Sequence, residues 1–305
     1  YLMNRSSLSY NLPCFNIVHG ELDESRIEYA VKQLIERHEA LRTSFHIIDG
    51  MPCQKIDKNV GFAVEHIESP EYKGEEDLYK IAKDFIRPFD LETAPLLRVG
   101  LYTISDKKHF LLFDMHHIIS DGVTMAILVK EFADIYNGVA LPPQEFQYKD
   151  FSEWQNGLLE RGALKRQENY WLEVFKDGIP ELRLPYDFKD RSGSFEGDVV
   201  EFLLESETCK RLKELNLSTN TTLFMFSLSV LNIVLQKYTG QTEIVIGSPI
   251  AGRPHANLQN IMGMFVNILC IKNYPEDDKT FNEFLLQVRE NAINAYENQD
   301  YQLDM

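Results

Sequence analysis

The chain has 305 residues, 44% of them hydrophobic and 26% charged, which suits a globular protein with two core-bearing lobes. Its net charge of −16 excludes a nucleic-acid binder, which needs basic surface to displace counterions from phosphates. Cys14, Cys53, Cys209 and Cys270 lack CxxC spacing, so reduced thiols are expected in place of a zinc site or disulfide framework.

Ile27, Val31, Leu34, Ile35, His38 and Leu41 recur at helical spacing and predict an amphipathic helix over 23–41. Residues 43–48 read as a strand turned back by Asp49-Gly50, and Pro52 marks the returning strand as an edge. A helix over 77–86 ends before Pro88; strands follow at 96–104 and 108–115. A helix over 123–136 is stopped by Gly138, and 151–175 is a further helical stretch. Glycine, proline and charge mark 178–198 as a crossover. Beyond it the pattern predicts a strand at 199–204, a helix over 222–238 closed by Gly240, strands at 243–247 and 264–271, and a helix over 281–298. The apolar run 223–235 is too short and too broken by Ser227, Ser229 and Asn232 to span a bilayer, and reads as a buried helix. The expected architecture is α/β: one lobe over 1–177, a crossover over 178–198 and a second lobe over 199–305.

The stretch MHHIISDG, residues 115–122, carries the chemistry. Strand alternation puts His117 on a face with Leu111, Phe113 and Met115, and His116 on the other with Phe110, Leu112 and Asp114. Asp114 is a possible partner for His116, while His117 ends an apolar row and is the better candidate for chemistry. The two imidazoles point apart and no third ligand lies at familiar spacing, which weakens a metal site. Asp121 precedes a helix and suits an N-cap; Gly122 permits a turn or a close approach by substrate. From these residues alone, capping and catalysis stay equally open.

MHHIISDG resembles the HHxxxDG signature of the condensation domains of nonribosomal peptide synthetases, relatives of chloramphenicol acetyltransferase. Further stretches resemble that family's motifs in the same order: RHEALRTSF at 37–45, YKDFSEW at 148–154, IGSPIAGRPHANLQNIMGMFVN at 246–267 and NQDYQLD at 298–304. The resemblance implies a chloramphenicol acetyltransferase-like, V-shaped pseudo-dimer with a central tunnel. It also implies formation of an amide between a donor and an acceptor thioester. Both arrive on 4'-phosphopantetheine arms of upstream and downstream peptidyl carrier domains, with a neighbouring adenylation domain and no cofactor held by the domain itself.

Within that resemblance His117 matches the catalytic position, as a general base or as a hydrogen bond that orients the amine. An imidazole of ordinary pKa near ~6.5 accepts a proton at neutral pH, and positioning alone accelerates attack on an already activated thioester. Gly122 would line the acceptor approach. Asp121 matches a residue that pairs with arginine, with Arg253 as its partner and Arg42 as a second candidate; His116 supports the site from behind. Tyr148, Asp150 and Trp154 read as packing residues and Asn267 as a core amide. An L-configured donor is favoured.

The family's first motif is present only as its tail, Tyr1-Leu2. Asn298, Gln302 and Leu303 stand where the family has His, Pro and Phe, and the second lobe is expected to be incomplete. No secretion signal opens the chain, so a cytoplasmic protein without membrane or nucleic-acid partners is expected. The alternatives are the related epimerisation domain and a non-catalytic domain that docks or gates carrier proteins.

Overall fold

The computed structural model describes residues 7–68, 72–187 and 198–303. These form two compact units: the residues up to Glu160 together with Ala251–Val266, and Arg161–Ile250 together with Asn267 onward.

The first unit is built on a sheet in the order β1-β6-β5-β4, where β1 is Asn11–His19, β4 Glu65–His66, β5 Leu97–Ser105 and β6 Lys108–His116. β1 and β5 flank β6 antiparallel, and β4 joins β5 parallel. Alternation along β6 separates two cores. Leu111, Phe113 and Met115 pack with Ile27, Val31 and Leu34 of α1 (Glu24–Arg37) and with Ile127 and Leu128 of α3 (Gly122–Tyr136). Phe110 and Leu112 pack with Leu78, Ile81 and Phe85 of α2 (Glu75–Phe85). A strand covered on both faces must be apolar at successive positions. Gly100 on β5 lets α2 approach, because a Cβ there would meet the Phe85 ring at 2.7 Å.

The hairpin of β2 (Thr43–Ile48) and β3 (Met51–Ile56) turns at Asp49 and Gly50, both with positive φ. Such a pair of conformations is what a two-residue turn between right-twisted strands requires. The helical stretch expected over 151–175 is two helices, α4 (Tyr148–Glu160) and α5 (Lys165–Val174). Gly162, at φ 65°, lies between them, and the division between the units falls there too.

In the second unit β7 (Ile244–Ile250) pairs antiparallel with β8 (Asn267–Asn273). Met225 and Leu228 of α7 (Leu223–Thr239) and Phe284, Val288 and Ala292 of α8 (Phe281–Glu297) cover this pair. Thr280 and Glu283 form a reciprocal capping box at the start of α8, and Gly240 ends α7 in the left-handed region.

Several expectations change. Residues 199–204 form no strand: Val200, Phe202 and Leu203 are 88%, 79% and 98% exposed. The run VVEFLL is apolar and β-branched enough to suggest a strand, but a strand also needs a hydrogen-bonded neighbour. The run at 223–235 is helical yet buried on one side only, with Leu223, Leu231 and Val234 exposed. β1 and α6 (Ser206–Thr219) were not anticipated. β1 contains Pro13 and an exposed Phe15, and α6 buries no residue, so neither carries a strong periodic signal. The boundary between the units differs from the expected one, since 161–177 packs with the second unit and 251–266 with the first. Residues 188–197 of the expected crossover, with Tyr1, Leu2 and Asp304, lie outside the described residues. Among the described residues no single helix is long and apolar enough to cross a membrane.

Candidate active site

β6 ends at His116, and His117–Ile119 is a 3₁₀ turn that leads into α3. Strand alternation therefore reaches His116 but stops short of His117, whose direction is set by the turn. The turn is held from both ends: His117 N–H donates to the Tyr10 carbonyl at 2.7 Å, and the Ser120 hydroxyl donates to the His116 carbonyl at 2.9 Å.

His116 serves the backbone. Its Nδ1 accepts the Ile118 N–H at 3.0 Å, which requires that nitrogen to be unprotonated. Its ring stacks on Tyr10 and meets the edge of Phe89. Burial, reinforced by His117, pushes its pKa down to about 4, so it is neutral at physiological pH. The partnership with Asp114 suggested by the sequence is absent. The Asp114 carboxylate accepts instead from Asn11 Nδ2 at 2.8 Å and from Arg98 Nη1 at 3.1 Å.

The His117 ring is partly buried and makes no hydrogen bond through either nitrogen among the described residues. Gly122 opens α3, and a Cβ added there would meet no atom within 4 Å. α3 leaves its Gly122 and Val123 N–H groups without partners among the described residues, since Asp121 caps Thr124 and the Asp121 carbonyl takes Met125. An unengaged imidazole, an open glycine and two free N–H groups thus belong to one short segment, 117–123.

Asp121 and Arg253 hold that segment in place. Both side chains are 1% exposed, and Arg253 Nη2 lies 3.1 Å from each carboxylate oxygen. A single nitrogen bridges the two oxygens, leaving Nη1 for backbone carbonyls. Asp121 also accepts Thr124 N–H at 2.7 Å and Phe265 N–H at 3.1 Å. Arg253 Nη1 donates to the Leu258 and Ile261 carbonyls at 2.6 Å each, and its guanidinium covers the Phe265 ring. Removing two charges from water costs several kcal/mol per ion, a cost that so many hydrogen bonds can offset. Gly252 lies at φ 62°, and any Cβ there would fall on the Phe265 carbonyl. Arg42 is not brought to Asp121; it donates to the Asp57 carbonyl and lies 3.6 Å from Glu39.

Tyr148 donates to the Met264 carbonyl at 2.9 Å and meets Phe265 edge-on, while Asp150 accepts Gln147 N–H at the start of α4. Trp154 contacts His255 edge-on. Asn267 donates to the Gln299 carbonyl at 2.9 Å within the second unit. Thr124, buried between Asp121, Arg253 and Gly263, carries no site role in the sequence reading. Beside the 3₁₀ turn lies a cleft of about 520 Å³ whose lining includes Phe45, Ile118, Ile119, Tyr148 and Met264. No cluster of three potential metal ligands occurs among the described residues.

Residues 2–305 match the family model described as Condensation domain. The chain is 48% identical over 302 residues to gramicidin S synthase 2 of Brevibacillus brevis, covering 99% of this chain and 7% of that synthase. It is 49% identical over 297 residues to tyrocidine synthase 3 of Brevibacillus parabrevis, covering 97% of this chain and 4% of the synthase. The chain therefore corresponds to a small part of these relatives. Its fold is shared with the first condensation domain of the calcium-dependent antibiotic synthetase, solved with a substrate analogue, at TM-score 0.80 and 20% identity over 99% of this chain and 73% of that one. It is shared also with the X-domain from teicoplanin biosynthesis, at TM-score 0.85 and 24% identity over 97% and 68%. With the family model spanning nearly its whole length and relatives close to half identical, the chain belongs to the condensation domain family.

Proposed function

We propose that this domain forms an amide between two thioesters. The amine of an acceptor aminoacyl thioester attacks the carbonyl carbon of a donor aminoacyl or peptidyl thioester. The new C–N bond forms, the C–S bond breaks, the amine loses a proton and the departing thiolate gains one. Both substrates are expected on 4'-phosphopantetheine arms of carrier domains, one upstream and one downstream, in a synthetase module with an adenylation domain. The domain itself needs to hold no cofactor for this step.

The observation that carries this reading is the open segment 117–123. The unengaged His117 ring can take the amine proton or orient the amine. Gly122 leaves room beside it, and the Gly122 and Val123 N–H groups can stabilise oxygen charge that develops on the attacked carbonyl. Asp121 and Arg253 hold the segment without taking part in the chemistry.

The test is His117→Ala in the intact module with donor- and acceptor-loaded carriers, scored by dipeptide formation. A loss of about 10²–10⁴-fold is expected if the histidine moves the proton, and a smaller loss without a changed pH profile if it only orients the amine. Unchanged turnover would remove any direct role for His117. Racemisation of a carrier-bound residue without amide formation would assign epimerisation instead.

A further inference from the structure

We propose that Thr124 is the positioning residue that sets the first turn of α3, and with it Gly122 and the free N–H groups, by hydrogen bonding to Gly263. The inference rests on the amide-forming reading above. Thr124 is fully buried, and its hydroxyl has every hydrogen-bonding capacity engaged. It donates to the Gly263 carbonyl at 2.9 Å, and it accepts from Gly263 N–H at 3.0 Å and from Arg253 Nη2 at 3.3 Å. One O–H and two lone pairs meet one acceptor and two donors, with nothing left over. Thr124 N–H simultaneously donates to Asp121. The side chain thus copies the two-way pairing of a neighbouring β-strand, using one hydroxyl against both backbone groups of a single residue.

Gly263 is itself fixed. A Cβ there would fall on the Tyr148 ring, and the next carbonyl, that of Met264, is held by the Tyr148 hydroxyl at 2.9 Å. Asp121 anchors the helix start from the residue before it, through Arg253 and Phe265 N–H, and leaves the side of the first turn at Thr124 to be held separately. The Thr124–Gly263 pair adds two directional bonds at the third residue of the helix, within one turn of Gly122. It ties the first turn of α3 to the segment that also contributes Arg253. A shift of about 1 Å in such a frame lowers rate more than binding.

The experiment compares Thr124→Val and Thr124→Ser in the intact module, with amide formation measured against the concentration of acceptor-loaded carrier. Valine preserves the shape and removes the hydroxyl; serine keeps the hydroxyl. With Thr124→Val, kcat is expected to fall about ten- to a hundredfold while KM for the loaded carrier stays within about twofold. Thr124→Ser is expected to restore most of kcat. Equal kcat for wild type and Thr124→Val, a change confined to KM, or failure of serine to rescue overturns the proposal. If valine prevents folding, Thr124→Ala takes its place; if alanine also fails to fold while serine folds, the hydroxyl serves stability alone and the proposal fails. Absence of amide product from the wild-type module would refute the reaction assignment, a result separable from all of these.

Discussion

Two buried aspartates flank the paired histidines, and each lies against an arginine, yet they are not equivalent. Asp121 accepts from Arg253, Thr124 and Phe265 and uses both oxygens. Asp114 accepts from Asn11 and Arg98 through Oδ2 alone, and its Oδ1 is buried without a partner. Burial accordingly raises the Asp114 pKa, with Asn11 and Arg98 offsetting only part of the effect, and burial also lowers that of Arg98. One carboxylate organises a helix start and a distant loop. The other is an incompletely satisfied charge at the back of the sheet. A charge paired with arginine is thus informative only when its whole hydrogen-bond set is counted.

Asp121 is the carboxylate whose loss the fold tolerates least. Asp121→Ala strands a buried guanidinium and uncaps α3, and is expected to cost about 3–5 kcal/mol in urea unfolding of the first unit. Arg253→Lys keeps the charge but loses the donors to Leu258 and Ile261, for an expected cost of about 2–3 kcal/mol in the same measurement. Asp114→Asn, by contrast, is expected to change stability by less than about 1 kcal/mol at neutral pH, because the amide can still accept from Arg98 while the costly charge is gone. A loss at Asp114 matching that at Asp121 would erase the distinction.

The effect at His116 appears only in acid. Its folded pKa, about 4, lies below that of an ordinary histidine, so the unfolded chain binds the proton first as pH falls. His116 should therefore leave stability unchanged at neutral pH and diminish it progressively from about pH 6.5 to about 4. Thermal melts of His116→Gln across this window should show a shallower decline than the wild type. Parallel declines would show that burial of His116 does not make the folded chain bind this proton less readily than the unfolded one.

Much of the first unit was legible because its elements announce themselves locally. The α1 stripe, the Asp49-Gly50 turn and the apolar β6 each follow from a run of neighbouring residues. The ordered motif resemblance also pointed to the family to which the chain belongs. Asp121 could be read as an N-cap from position alone, and it is one. The expected Asp114–His116 contact failed because sharing a face does not guarantee contact: Asn11 and Arg98, on the strands either side, reach the carboxylate. Residues 199–204 showed the complementary failure, since a short apolar run supplies no pairing strand.

By itself, the sequence determined the family, most helices and hairpins of the first unit, and the segment in which to look for chemistry, because these depend on short-range periodicity and ordered motifs. Only the tertiary structure decided which groups are left free in that segment. It ended β6 at His116, chose Arg253 over Arg42 for Asp121, and brought Thr124 against Gly263, 139 residues away along the chain. Hydrogen-bond partners that distant are selected by the packing of whole elements, and no local pattern of residues encodes their distances or their direction.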